Sequence, residues 1–248
     1  MNYQNEINIE NKIIGNNQPC YIIAEIGVNH NGDLILAKKL IDAAIESGAD
    51  AVKFQKRNLE SLYRKEALEN PNSESQGFEI LLAELKKIEL SKEDYFDIVN
   101  YCKERKITFL CTPWDTPSVD FLEQLDTPAY KIASGDMTNF PLIKYISKRK
   151  KPMIISTGMS KIEEIEKMVD FVKMLNVQFV LLHANSTYPS PIESLNVSLI
   201  PEYAKKFGLL IGFSDHEIGI IGSLTAANIG DVVIERHITL DKKMKGLD

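Results

Sequence analysis

Leu209-Leu210-Ile211-Gly212-Phe213-Ser214-Asp215-His216 and, one helix-length further on, Val232-Val233-Ile234-Glu235-Arg236-His237 are two apolar runs that each finish in polar residues and a histidine. Side chains two apart on a strand share a face, so Ser214 points with His216 and Glu235 with His237. The chain has only four histidines, and two of them stand at equivalent places on consecutive strand ends. That placement suits a divalent metal held between neighbouring strands, with an acid and a hydroxyl beside it.

Working back from this pair, six more runs of the same kind precede it: Tyr21–Glu25, Ala51–Gln55, Thr108–Thr112, Tyr130–Ser134, Met153–Thr157 and Phe179–His183. Amphipathic stretches separate them, the pattern of parallel strand-helix units. Asp33 is placed to cap a helix over Leu34–Glu46, with Leu36, Leu40, Ala43 and Ala44 as its apolar stripe and Gly48 as its stop. Ser160 and Glu163 have capping-box spacing ahead of Ile162, Ile165, Met168, Val169 and Val172, and Ser91 with Asp94 repeats the signal more weakly. Eight such units in 248 residues predict a (β/α)8 barrel. An open doubly wound sheet is the rival, but no strand leads into a glycine-rich phosphate turn, and polar residues end nearly every strand instead of gathering at one switch point.

Residues 1–19 read as an N-terminal hairpin, Ile7-Asn8-Ile9 against Lys12-Ile13-Ile14, predicted to plug the barrel floor, and residues 20–248 as the barrel. Arg57 to Gln76 reads as a long polar loop, either a lid or a solvated segment. The sequence stops at Asp248, before an eighth helix, so the barrel is expected to be truncated there and covered by something else.

A net charge of -6 argues against a nucleic-acid surface while leaving room for a local basic pocket. Cys20, Cys102 and Cys111 lack a paired framework and read as reduced, buried thiols. No apolar run is long enough to cross a membrane and the start of the chain does not read as a signal peptide, so the expected location is the cytoplasm.

Strand ends alone would deliver Glu25, Lys53, Gln55, Thr112, Lys131, Ser134, Ser156, Asn185, Tyr188, Ser214, His216, Glu235 and His237 to one barrel mouth. Two lysines with several hydroxyls suit a phosphate or carboxylate, and two histidines suit a metal. Each lysine lies within an apolar strand, where an ammonium needs an anionic partner; a purely structural pair with Glu25 is the competing reading. A histidine taken singly would more often be a bonded core residue. His183 is expected to support the crown from within, His30 to be a substrate contact, and Trp114 to pack its own loop.

Several of these segments, in order, match a known family. Ile23-Ala24-Glu25-Ile26-Gly27-Val28-Asn29-His30-Asn31-Gly32, Ala51-Val52-Lys53-Phe54-Gln55, Tyr130-Lys131-Ile132-Ala133-Ser134-Gly135-Asp136, Ile155-Ser156-Thr157-Gly158-Met159-Ser160, Ser186-Thr187-Tyr188-Pro189 and Gly212-Phe213-Ser214-Asp215-His216 resemble the sialic acid synthase family, from about Cys20 onward. The resemblance implies a (β/α)8 barrel condensing phosphoenolpyruvate with an N-acyl amino sugar to a nine-carbon 2-keto acid, with release of phosphate. It implies a divalent metal, Mn2+ foremost with Mg2+ or Co2+ as options, on His216 and His237, and Glu25 as acid or base. It further implies Lys53, Thr112, Lys131, Ser134, Ser156, Asn185, Tyr188 and Ser214 around phosphoenolpyruvate, and Gln55 and Asp248 near the sugar. Full-length relatives form a homodimer in which a C-terminal antifreeze-like domain reaches the partner's site; that domain is absent from this sequence, so the expected fragment binds phosphoenolpyruvate and metal but turns over weakly. Two other readings stay open on the residues: a Schiff-base aldolase using Lys53 or Lys131, and a non-catalytic anion-binding barrel. The acceptor is left among acetamido-mannose, a legionaminic-type and a pseudaminic-type hexose.

Overall fold

The computed structural model describes residues 5–75, 77–230 and 232–244. An antiparallel hairpin, β1 (Glu6–Ile9) and β2 (Lys12–Gly15), precedes eight parallel strands: β3 (Tyr21–Gly27), β4 (Ala51–Lys56), β5 (Thr108–Pro113), β6 (Tyr130–Ile132), β7 (Met153–Ser156), β8 (Phe179–Ala184), β9 (Ile211–Asp215) and β10 (Val233–His237). They pair in chain order and β10 closes on β3, with Val233 opposite Tyr21 and His237 opposite Glu25. The expected (β/α)8 barrel is thus present, every strand within two residues of its expected bounds.

Helices α1 (Leu34–Glu46), α2 (Leu59–Leu62), α3 (Lys65–Glu69), α4 (Phe78–Ile88), α5 (Lys92–Arg105), α6 (Thr116–Gln124), α7 (Phe140–Ser147), α8 (Ile162–Met174), α9 (Leu199–Phe207) and α10 (Ile221–Asn228) wrap the outside. The two-residue period of each strand splits its side chains between two apolar layers. Outward residues such as Phe54, Phe109, Ile155 and Phe213 pack under the helices. Inward residues such as Ile23, Leu110, Ile154 and Val180 fill the barrel, and Ile7, Ile9 and Ile14 of the hairpin join that inner cluster. The hairpin therefore plugs the floor as expected; burying each isoleucine contributes about 2 kcal/mol. No helix of the described residues is long and apolar enough to cross a membrane.

Three local expectations are corrected. Residues 57–76 are not a bare loop: they hold α2, α3 and a 3-10 turn, Pro71–Ser73. The Asn58 side chain accepts from Ser61 N at 3.0 Å to start α2, and Leu59 and Tyr63 pack on Val28, Leu85 and Ile88. Helices of four and five residues are too short to show a 3.6-residue period, which is why they read as loop. The start of α8 is one residue later than its capping signal, with the Glu164 carboxylate accepting from Lys161 N at 2.8 Å, because Ser160 instead donates to Gly158 O at 3.2 Å. On α1 the buried stripe is Ala37, Leu40, Ile41 and Ala44, while Asp33 caps it as expected, accepting from Ile35 N and Leu36 N. The weaker signal, Ser91 with Asp94, is a complete capping box on α5.

Candidate active site

The strand phase that buries Tyr21 and Ile23 in the barrel lifts Glu25 to its mouth, and the same phase raises Lys53 and Gln55 on β4, Lys131 on β6, Ser214 on β9 and Glu235 on β10. A cavity of about 210 Å³ opens there. Glu25, Lys53, Gln55, Thr112, Lys131, Ser134, Ser156, Tyr188, Ser214, His216 and His237 all line it. Asp248 lies outside the described residues.

Four buried charges form its floor. Lys53 Nζ stands 2.9 Å from Glu25 Oε2, 3.6 Å from Glu235 Oε2 and 3.2 Å from Thr112 Oγ1, to which it donates. Lys131 Nζ is 3.3 Å from Glu235 Oε1, which also accepts from Ser214 Oγ at 3.0 Å. Burial alone would push Lys53 down, but Glu235 and Glu25 together outweigh it and hold the ammonium above the usual lysine range. For Lys131 burial wins: with one carboxylate beside it and Lys53 opposing, its pKa falls to about 8. Glu235 is favoured as the carboxylate, its burial outweighed by Lys131 and Lys53, which bring it to about 2. Both readings of the lysines are therefore realised at once, since their structural counter-ions are themselves cavity residues.

Gln55 ties Glu25 to the rim. Arg57 can only donate, and its guanidinium bonds Gln55 Oε1 at 2.5 Å, so the Gln55 amide must turn its Nε2 toward Glu25 Oε1, 2.9 Å away. Arg57 also lies 5.3 Å from the centre of the Trp114 ring.

Across the mouth the two imidazoles converge, their centroids 5.6 Å apart, with the Tyr188 ring 4.0 Å from His216. His216 Nδ1 sits 2.5 Å from the Asn185 carbonyl, which fixes the proton on that nitrogen and leaves the Nε2 lone pair for the cavity. Burial holds His216 below the ordinary imidazole range, against the opposing pull of that hydrogen bond, and so keeps the ring neutral.

The remaining wall is made of hydroxyls and a close turn. Ser134 Oγ accepts from Gly158 N at 3.1 Å, and a Cβ on Gly158 would fall 2.1 Å from Ser186 Oγ and 2.8 Å from Ser134 Oγ. Only glycine lets that backbone meet both hydroxyls. Ser156 Oγ and Trp114 Nε1 are buried at the cavity and meet no protein partner among the described residues, so each has hydrogen-bonding capacity for a ligand.

Four sequence readings change. Asn185 does not line the cavity: its side-chain amide bonds Ser194 O and Oγ at 2.9 Å, and its backbone carbonyl orients His216 instead. Trp114 does more than pack its own loop, since it borders the cavity. His183 faces the outer layer, bonding the Leu195 carbonyl at 2.8 Å and stacking on Phe213. His30 is 2% exposed, accepts from Gly32 N at 3.1 Å and lies against Phe54, away from the cavity lining. The cavity also recruits Ala133, Gly135, Met159 and Ser186, which sit past strand ends where alternation gives no signal. The three cysteines are free, and burial pushes the Cys102 thiol up to about 12.

Comparison with known proteins decides the family. The NeuB family profile matches residues 40–248. The chain belongs to the NeuB family. Among NeuB relatives, the human N-acetylneuraminate-9-phosphate synthase is 42% identical over 237 residues, covering 95% of this chain and 66% of its own. The N,N'-diacetyllegionaminic acid synthase of Legionella pneumophila is 41% identical over 241 residues, covering 94% of this chain and 68% of its own. The crystal structure of N-acetylneuraminic acid synthetase from Leptospira borgpetersenii superposes with a TM-score of 0.86 at 34% identity, over 98% of this chain and 81% of that one. This NeuB chain thus spans about two thirds of the length of these curated relatives. The expected kinship with sialic acid synthases is borne out.

Proposed function

We propose that this chain binds phosphoenolpyruvate and a divalent cation in the mouth cavity and takes part in condensing the enol with an N-acyl amino sugar, giving a nine-carbon 2-keto acid and inorganic phosphate. The observation that carries this reading is the meeting, in one cavity, of a floor with two buried lysines and a pair of convergent imidazoles.

The enol carbon attacks the sugar aldehyde, a water oxygen adds to the cationic carbon bearing phosphate, and the tetrahedral product collapses with cleavage of that carbon's bond to the phosphate oxygen. Phosphate leaves with the electron pair, and the keto group forms as the hydroxyl proton departs. Lys53 and Lys131 neutralise the carboxylate and phosphate, Ser134, Ser156 and Ser186 offer hydroxyls to their oxygens, and Trp114 Nε1–H offers a further donor. Glu25, held by Lys53 and Gln55, exchanges the proton of the attacking oxygen or of the aldehyde oxygen. His216 and His237 fit a divalent cation, since His216 presents an unprotonated Nε2 to the cavity. Such an ion supplies Lewis-acid polarisation of the aldehyde oxygen. No group of three or more His, Cys, Asp and Glu side chains among the described residues is placed to hold a metal ion, so the two imidazoles would be the protein's share of the binding. The elevated Lys53 pKa disfavours that amine as a Schiff-base nucleophile and leaves Lys131, at about 8, as the candidate for an aldolase.

The test is phosphate release from phosphoenolpyruvate with acetamido-mannose, a legionaminic-type or a pseudaminic-type hexose, with Mn2+ and then chelator, using this chain alone and with the C-terminal third of a relative supplied. Phosphate release that requires one sugar and is lost on chelation is expected. Borohydride trapping of an adduct on Lys131 without need for metal would overturn it.

The pH dependence of binding follows from Lys131. The ligand's phosphate is fully ionised above neutrality, its second pKa being about 6. Protonated Lys131 attracts it and neutral Lys131 does not, so affinity is full below pH 8 and falls as pH rises through about 8. One proton is linked, so the limiting slope is about tenfold per pH unit. Calorimetric titration from pH 7 to 10 checks this; a flat affinity would remove Lys131 from the anion site.

A further inference from the structure

His216 and His237 alternate with outward neighbours that bond to one another behind the cavity. The ladder between β9 and β10 pairs Ser214 with Glu235 and Asp215 with Arg236, and β9 ends there, one residue short of His216. Beyond that point a side chain takes over. Arg236 Nη1 donates to Asp215 Oδ2 at 2.9 Å and to Ser223 Oγ at 3.2 Å, and Nη2 donates to the Glu217 carbonyl at 2.6 Å. One guanidinium thus grips the residues on either side of His216 while carrying His237 as its own neighbour. The Asp215 side chain is 0% exposed, accepts from Glu217 N at 3.0 Å and from Ser223 Oγ at 2.5 Å, and so has no freedom to follow a displaced partner. The Glu217 carboxylate is spent on the start of α10, accepting from Ile221 N at 2.8 Å and Gly222 N at 3.1 Å.

We propose that Arg236 and Asp215 are positioning residues that set the separation and facing of the His216–His237 pair for a divalent cation, an inference that rests on the metal reading above. The planar fork matters more than its charge: a lysine could reach Asp215 or the Glu217 carbonyl but not hold both. Gly222 supplies an independent probe, because a Cβ there would come 2.8 Å from Leu195 Cδ1, 3.1 Å from Glu217 Oε2 and 3.2 Å from Asp215 Oδ2. Gly222→Ala presses on the same carboxylates while leaving Arg236 and both histidines in the sequence.

The experiment titrates Mn2+ into the whole chain, reading free ion by electron paramagnetic resonance and coordinated imidazoles by nitrogen spin-echo modulation, with thermal unfolding of each variant in parallel. The native sequence is expected to show two coupled imidazoles. Arg236→Met is expected to bind about ten- to hundredfold more weakly, the usual effect of removing a ligand's supporting partner, and to lose one coupling. Arg236→Lys should fall between, and Gly222→Ala should shift the same way; if Arg236→Met does not fold, these two decide. Native affinity with both couplings intact in the folded variants would overturn the proposal. If the native chain coordinates no Mn2+ through histidine, the metal reading fails, and the clamp is then judged by the nitrogen-15 spectrum of the His216 ring. A shifted or exchange-broadened Nδ1–H in the variants supports it, and unchanged ring signals overturn it.

Discussion

Glu25→Gln is expected to bind phosphoenolpyruvate at least as tightly as the native chain while releasing phosphate about a hundred- to ten-thousandfold more slowly, the range for loss of a positioned acid or base. The binding half of this result follows from charge. Lys53 and Lys131 face two carboxylates, Glu25 and Glu235, so the floor is formally neutral before the ligand arrives. Removing one of the two negative charges leaves the floor net positive toward a polyanion, so the amide does not weaken its binding. What the amide loses is a proton to give or take, since it keeps the shape of the carboxylate without its acid or base function. Calorimetric titration of phosphoenolpyruvate and a phosphate-release assay on both proteins at pH 7 read the two halves separately. Native turnover in the variant would remove Glu25 from the mechanism.

The sequence made the strands and their phase legible because both rest on one local rule. Alternation told which of Ser214, Asp215 and His216 face the mouth, and closure of β10 on β3 then brought His237 beside Glu25 without further assumption. The capping box at Ser91 and the N-cap at Asp33 were legible for the same reason, being settled within four residues. What stayed hidden was decided at longer range. Asn185 lies one residue past β8, in the phase of the outward His183, so its nearness to the strand end suggested a crown residue that alternation does not support, and its amide is drawn to Ser194. Trp114 and Arg57 lie far apart in sequence and become part of the rim only through their stacking and the bond to Gln55. The clamp behind the histidines was invisible for a related reason, since Arg236 and Asp215 are the outward, apparently ordinary members of the alternation, and only the register shows that they pair.

Lys53→Met is expected to cost the most stability of any single change in the site. It removes an ammonium that is 4% exposed and leaves Glu25 facing Glu235 across an apolar side chain of similar length. Removing one member of a buried ion network costs about 3–5 kcal/mol, because the surviving charge stays desolvated. For a domain of this size that lowers the melting temperature by roughly 10 °C. Phosphoenolpyruvate affinity should fall at least about a hundredfold, the equivalent of about 2.7 kcal/mol for one buried charge-assisted contact. The sign with pH separates this mechanism from simple loss of packing. Glu235 is depressed from 4.5 to about 2 by its lysines, so the native network stabilises above pH 4.5 and loses that stability as pH falls toward 2. Lys53 is raised above 10.5, so its contribution is complete below 10.5. The stability gap between the native chain and Lys53→Met is therefore widest between about pH 4.5 and 10.5. It narrows on the acid side as the stranded carboxylates take up protons. Chemical denaturation at pH 7 and pH 3.5 measures both points; a gap that is the same at each would mean that the variant suffers from lost packing, and that the ion network is not what holds the floor together.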